Sequence, residues 1–217
     1  MTLQEIFDLL TFGELAQLSI GGGEAGIIDD SNMAKVLPHI NLGMTALYKR
    51  FKLKESSLVL PLVSGQLIYP LTQPDVMKIE RIISPTGVEI SLNDPDDPQG
   101  CSTTSDRTLV ISSFLTEIAK HESLTVIYRA NHPKLMAEDG YVDVDTLTIE
   151  LPDSYIEPLL YFVAARLLSS TGSGQFEGLA SMQYLQKYEA ACKQLTDWNP
   201  QAAPSREVPR IQLGGWV

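Results

Sequence analysis

The apolar positions of the chain change period twice. Leu3, Ile6, Phe7 and Leu10 stand three and four apart on one face of a short helix, and Thr2 with Glu5 three residues on forms a capping-box pair at its start. This helix is expected to continue raggedly to Leu18. The stretch SIGGGEAGIIDDSN then reads as a flexible hinge. After it, Val36, Leu37, Ile40, Met44, Leu47, Tyr48 and Phe51 form the apolar face of a longer helix that Pro38 begins or kinks. From Ser56 the period shortens to that of strands: SSLVLPLVS, GQLIYPL, VMKIERIIS, VEISLN, TLVISS and SLTVIYRAN are apolar runs broken by turn residues. SPTG between two of them is a tight-turn signal, and NDPDDPQGCSTTSD reads as a long polar loop that Pro95 and Pro98 keep out of any helix.

The helical period returns in LPDSYIEPLLYFVAARLLSSTGSG. Ile156, Leu159, Leu160, Val163, Ala164, Leu167 and Leu168 fall on one continuous face, Ser154 with Glu157 is a second capping-box pair, and Pro158 sits in the first turn. Small residues from Ser169 to Gly174 end it. A further helix carries Leu185, Tyr188, Cys192 and Leu195 at spacings of three and four, with Gly178, Ser181 and Ala190 small enough to let a neighbour approach, so the pair predicts an antiparallel helical hairpin. The final NPQAAPSREVPRIQLGGWV has no period and reads as an extended tail.

Helices, then strands, then a helical hairpin make an α+β protein whose N- and C-terminal helices pack as a bundle around an inserted antiparallel β-rich lobe. The expected divisions are 1–55 for the N-terminal helices, 56–150 for the lobe, 151–198 for the hairpin and 199–217 for the tail.

Charge narrows what such a protein does. A formal net charge of -11 argues against a chain that grips nucleic-acid backbone, because that affinity comes from Lys and Arg. Positive residues cluster only in YKRFKLK, Tyr48 to Lys54, where cations favour a helix C-terminus. No apolar run reaches about eighteen residues, and MTLQEIFDLL carries acids where a secretory signal carries Lys or Arg, so a soluble chain made in a cytosol is expected.

Candidate chemistry is thin. Gly21, Gly23 and Gly26 match G-x-G-x-x-G, but a helix precedes them and Ala46 stands where a ribose-binding acid belongs, so a hinge is the better account. Asp94, Asp96 and Asp97 offer oxygens to Ca²⁺, yet two prolines interrupt them and the EF-hand glycine and glutamate are missing. His39, His121 and His132 each lack a second ligand three or four residues away, and Cys101 and Cys192 lie far apart with no metal-type spacing. Asp143 and Asp145 alternate as a solvent-facing strand edge would. The reading is a non-enzyme with no catalytic residues, no cofactor and no metal.

Three stretches carry a resemblance: HINLGMTALYKRF, with Ile40 to Phe51 on a helix; the strand LTVIYRANHPKL; and IELPDSYIEPLLYFVAARLL opening the hairpin. Their order resembles the head-to-tail adaptor, or connector, proteins of tailed double-stranded DNA bacteriophages, over nearly the full chain. The resemblance implies a structural virion protein, made in the host cytoplasm and placed in the neck between portal and tail. Copies would form a ring, usually dodecameric, whose partners are the portal and a downstream tail or nozzle protein. Duplex DNA would pass through without specific binding, a passage that acidic walls suit because they repel phosphate, and no membrane is involved. The tail residues Pro209, Arg210, Ile211, Leu213, Trp216 and Val217 would be a partner interface with Trp216 as anchor. The alternative is a tail or baseplate accessory protein whose β-lobe binds a ligand or host glycan, with no ring.

Overall fold

The computed structural model describes residues 1–16, 28, 30–97, 99–113, 122–137, 142–144, 146–171 and 175–198. The chain divides into two compact units, Leu53–Pro133 and a helical unit made of Met1–Lys52 with Lys134–Val217. The α+β class and the inserted antiparallel lobe are as the sequence predicts. The hinge glycines and the C-terminal tail lie outside the described residues.

In the helical unit, α1 (Leu3–Leu9) starts on the expected capping box: Glu5 N donates to Thr2 Oγ1 and Thr2 N to Glu5 Oε2. It passes into a π-helical segment at Leu10–Glu14. α2 (Asp30–Arg50) buries Val36, Leu37, Ile40, Met44, Leu47 and Tyr48, and Phe51 is buried just beyond its end, so every residue of the predicted face is inside. It begins well before Pro38, which lies within the helix and does not begin it.

α3 (Ile156–Thr171) is entered through a 3-10 turn at Asp153–Tyr155 with Pro152 before it and no side-chain cap. The Ser154–Glu157 box is therefore absent: Ser154 is already inside the helical turn, and the Glu157 carboxylate accepts from Tyr161 Oη at 2.7 Å instead. Leu159, Val163, Ala164 and Leu167 are buried as expected, but Leu160 is only half-buried and Ala165 is buried in its stead. The core-facing stripe is rotated toward a second neighbour, α4 (Gln175–Trp198), which lies antiparallel: Ser181 Oγ donates to the Ala165 carbonyl at 2.9 Å, and the Phe162 and Tyr188 rings meet edge-on with centroids 5.4 Å apart. Gly43 lets α2 approach α3, because a Cβ there would stand 2.7 Å from Leu159 Cδ1.

The second unit holds two sheets. β1 (Glu55–Pro61), β3 (Val76–Ile83), β4 (Glu89–Ile90) and β7 (Ser123–Ala130) form one in the order β1-β7-β3-β4. β2 (Ile68–Pro70), β5 (Cys101–Ser105) and β6 (Thr108–Ile111) form the other in the order β2-β6-β5. Registers such as Leu60↔Leu124, Ile82↔Val126 and Tyr69↔Leu109 put these residues into one core shared by both sheets. SPTG is the expected turn, with Gly87 at φ 82° and Gly87 N donating to the Ser84 carbonyl. β5 lies within NDPDDPQGCSTTSD, the stretch that the sequence predicts as a polar loop. Only Cys101 of its five residues is buried, so CSTTS shows no apolar alternation.

The unit ends at Pro133, not near 150. The described residues from 142 to 150 are not a strand edge: they run as coil against α1 and meet it at the isolated bridge Thr2↔Thr148. Asp143 accepts from Thr146 N there, and Asp145 lies outside the described residues.

Two substitutions test this packing. Leu167→Asp places a carboxylate at a site that is 2% exposed and should abolish cooperative unfolding, at a cost of several kcal/mol, whereas Leu160→Asp should leave a folded protein with a lowered melting temperature. Gly43→Ala should cost about 1–3 kcal/mol in urea titration, since Leu159 and Phe162 must give way. An unchanged midpoint would mean that α2 and α3 are not held so close.

Candidate interaction surface

The helical unit is closed by the chain that returns to it after Pro133. Asn41, on α2, pairs with Leu135 as one peptide pairs with another: its Nδ2 donates to the Leu135 carbonyl at 2.8 Å and its Oδ1 accepts from Leu135 N at 2.9 Å. Two turns further along α2, Tyr48 Oη donates to the Glu150 carbonyl. Between these clamps the returning chain caps α1, whose first N–H groups have no partner within the helix. Leu3 N donates to the Leu147 carbonyl at 2.9 Å and Gln4 N to the Val144 carbonyl at 3.3 Å, while Ile149 N donates to the Met1 carbonyl.

Beyond α1 the backbone widens. Leu15 N donates to the Leu10 carbonyl, five residues back, and Leu15 is buried while Phe12 stands 83% exposed, with Leu9 at 42% one turn before it. The far end of this segment is tied to α4. Tyr184 Oη donates to the Glu14 carbonyl at 3.0 Å, and Lys187 Nζ lies 3.9 Å from Glu14 Oε2 and over the rings of Tyr184 and Tyr161, 4.6 and 5.2 Å from their centroids. Donation to Glu157, then burial, pushes the Tyr161 pKa up to about 12; burial, then its contact with Glu14, pushes Tyr184 to about 12 as well.

On α4 only one side is covered. Ser181, Tyr188, Ala191 and Cys192 are buried, while Leu179, Met182 and Leu185 are 60%, 61% and 42% exposed. Leu185 and Ala190, expected at the helical contact, face solvent; Ser181 is buried there as expected, and Ala191 with it. A Cβ added at Gly178 would meet nothing within 4 Å.

The chemistry weighed in the sequence resolves into structural roles. Asp97 accepts from the Ser91 hydroxyl and from Gln99 N, and Asp94 Oδ1 from Asp96 N, so these carboxylates shape their own loop beside an open cleft of about 470 Å³. His132 Nδ1 donates to the Pro133 carbonyl at 2.7 Å. His39 is half-buried, and burial followed by the charge of Arg166 lowers its pKa. Arg50 of the basic cluster is paired with Glu189 at 2.7 Å. Cys101 and Cys192 are both buried free thiols. Among the described residues no group of three or more His, Cys, Asp or Glu side chains could hold a metal. His121, the glycines at 21, 23 and 26, and the expected partner residues Pro209, Arg210, Ile211, Leu213, Trp216 and Val217 lie outside the described residues.

The residues that sequence reasoning missed are Asn41, Phe12 and the outward side of α4. Phe12 had a signal, since it falls off the Leu3–Ile6–Phe7–Leu10 face; Asn41 had none, because a polar helical residue looks the same whether it meets water or a peptide.

Asn41→Ala should cost about 2 kcal/mol or more, because it strands both peptide groups of Leu135, and urea unfolding measures it. Alkaline pH should act on the tyrosine pair. Their folded pKa values lie above the ordinary 10, so their contribution is complete below about pH 10 and is lost as pH rises toward about 12. Thermal melts across that window should fall less steeply for the Tyr161→Phe/Tyr184→Phe chain than for wild type.

The family model described as SU10 adaptor protein matches residues 3–210. No curated protein matches the chain. The chain therefore belongs to the SU10 adaptor protein family, and is a structural head-to-tail adaptor that forms a ring in the virion of a tailed phage.

Proposed function

We propose that this SU10-family adaptor sits in the virion neck as a dodecameric ring, with the portal on one side and a downstream tail or nozzle protein on the other. The match to the adaptor family across residues 3–210 carries this reading. Charge supports it: at -11 the chain repels phosphate, and duplex DNA moves through such a ring without being gripped. At the cationic end of α2, Arg50 is already bound to Glu189.

The C-terminal segment supplies the portal contact. Pro209, Ile211, Leu213, Trp216 and Val217 are apolar positions without a helical period, beside the cation Arg210, and such a segment gains buried surface by ordering on a partner. Trp216 is its anchor.

Deleting Ser205 to Val217 should leave thermal unfolding unchanged and weaken docking to a purified portal ring by about tenfold or more, a loss of ~1.4 kcal/mol or more. Native mass measurement with and without the portal reads both the ring number and the docking. Undiminished docking of the shortened chain would remove the tail from the interface, and a chain that stays monomeric on the portal would contradict the ring in the neck.

A further inference from the structure

An aromatic ring held in water by an unusual backbone calls for an account. If the α-helix simply continued from Leu10, the next residues on the inner face would be Gly13 and Glu14, neither of which fills a core. The π turn delays the return by one residue, seats Leu15 inside, and leaves Phe12 projecting with Leu9 beside it. Among the described residues Phe12 stands outside the core.

α4 presents a surface of opposite form. From Gly178 to Gln186 there is no charged residue, and at about 100° per residue Gly178, Leu179, Met182, Leu185 and Gln186 share one outward arc. The space over Gly178 is open, and Met182 is unbranched and adapts its shape to a neighbour.

A ring of identical copies is joined head to tail, so each copy must carry two unlike patches that fit one another. We propose that Phe12 and Leu9 of one copy seat on the Gly178–Gln186 face of α4 in the next copy, and that this contact is the centre of the ring interface. The inference rests on the ring-forming adaptor role. Both patches belong to the helical unit, one a projecting aromatic and the other a charge-free helix face. Glu5 and Asp8 are exposed on α1 beside Leu9, and the first acid past the α4 patch, Glu189, is already paired with Arg50. These side chains cover much less than the ~800 Å² per partner of a stable interface, so they are its anchored centre within a wider polar rim.

The test uses phage particles assembled with the Phe12→Cys/Met182→Cys chain. The native thiols are buried and do not compete. Mild oxidation should give a ladder of cross-linked multimers on a non-reducing gel, and neither single variant should give one. Normal ring occupancy without a ladder would overturn the contact while leaving the ring in place. Dimers from either single variant would also overturn it, because like patches would then be meeting. Particles in which the wild-type chain forms no ring would overturn this contact together with the adaptor reading. As a second arm, Phe12→Asp should melt with wild-type behaviour yet enter particles at least about tenfold less well; a lowered melting temperature would show that Phe12 packs within its own chain and would overturn the proposal.

Discussion

Asn41 holds the helical unit shut. That unit is assembled from two stretches of chain separated by the whole of Leu53–Pro133, so its core exists only if the returning segment is captured and kept in register. Hydrophobic burial is non-directional and cannot by itself fix register. The paired hydrogen bonds from Asn41 to the Leu135 peptide do so at one end, and Tyr48 with the Glu150 carbonyl does so at the other. What lies between is then positioned to accept the free N–H groups of α1. α1, π segment and α3 follow from that placement, because Leu3, Ile6, Phe7 and Leu10 are buried in the same unit as the α3 face.

The inserted unit has its own core. Among the described residues, thirteen buried side chains drawn from both of its sheets form one cluster within Leu60 to Ala130. Polar contacts reinforce it locally: Arg107 donates from Nε to the Val76 carbonyl and from Nη2 to the Pro74 carbonyl, tying the β5–β6 turn to the start of β3. Arg129 and Glu80, joined at 2.8 Å and nearly buried, link β7 and β3 by a charge-assisted bond, which is where a buried ion pair does most to fix one pairing over another.

Much of this was legible because burial in helices leaves a period. The faces of α1 and α2 could be read residue by residue, and so could most of α3. Where the reading failed, two solutions looked alike in one dimension. Leu185 and Leu160 fit the period of a helix whose neighbours were unknown, and the actual partner at α4 is reached through the smaller Ser181 and Ala191. VDVDTLT alternates as an edge strand does, but its carbonyls serve the end of a helix. CSTTS lacked alternation because a strand at the edge of a small sheet needs only one inward side chain. The outward patches were harder still: hydrophobicity marks a residue for burial without saying whether its own chain or another copy does the burying.

The pairing of β1 with β7 has an evolutionary consequence. Glu55 lies opposite Arg129, and Ala130 N donates to the Lys54 carbonyl, so the chain comes into the inserted unit and leaves it through neighbouring, hydrogen-bonded positions. A module whose ends already meet can be lengthened, trimmed or exchanged for another without stretching the polypeptide on either side of it. The inserted unit can thus be remodelled without altering the path of the polypeptide through the helical unit.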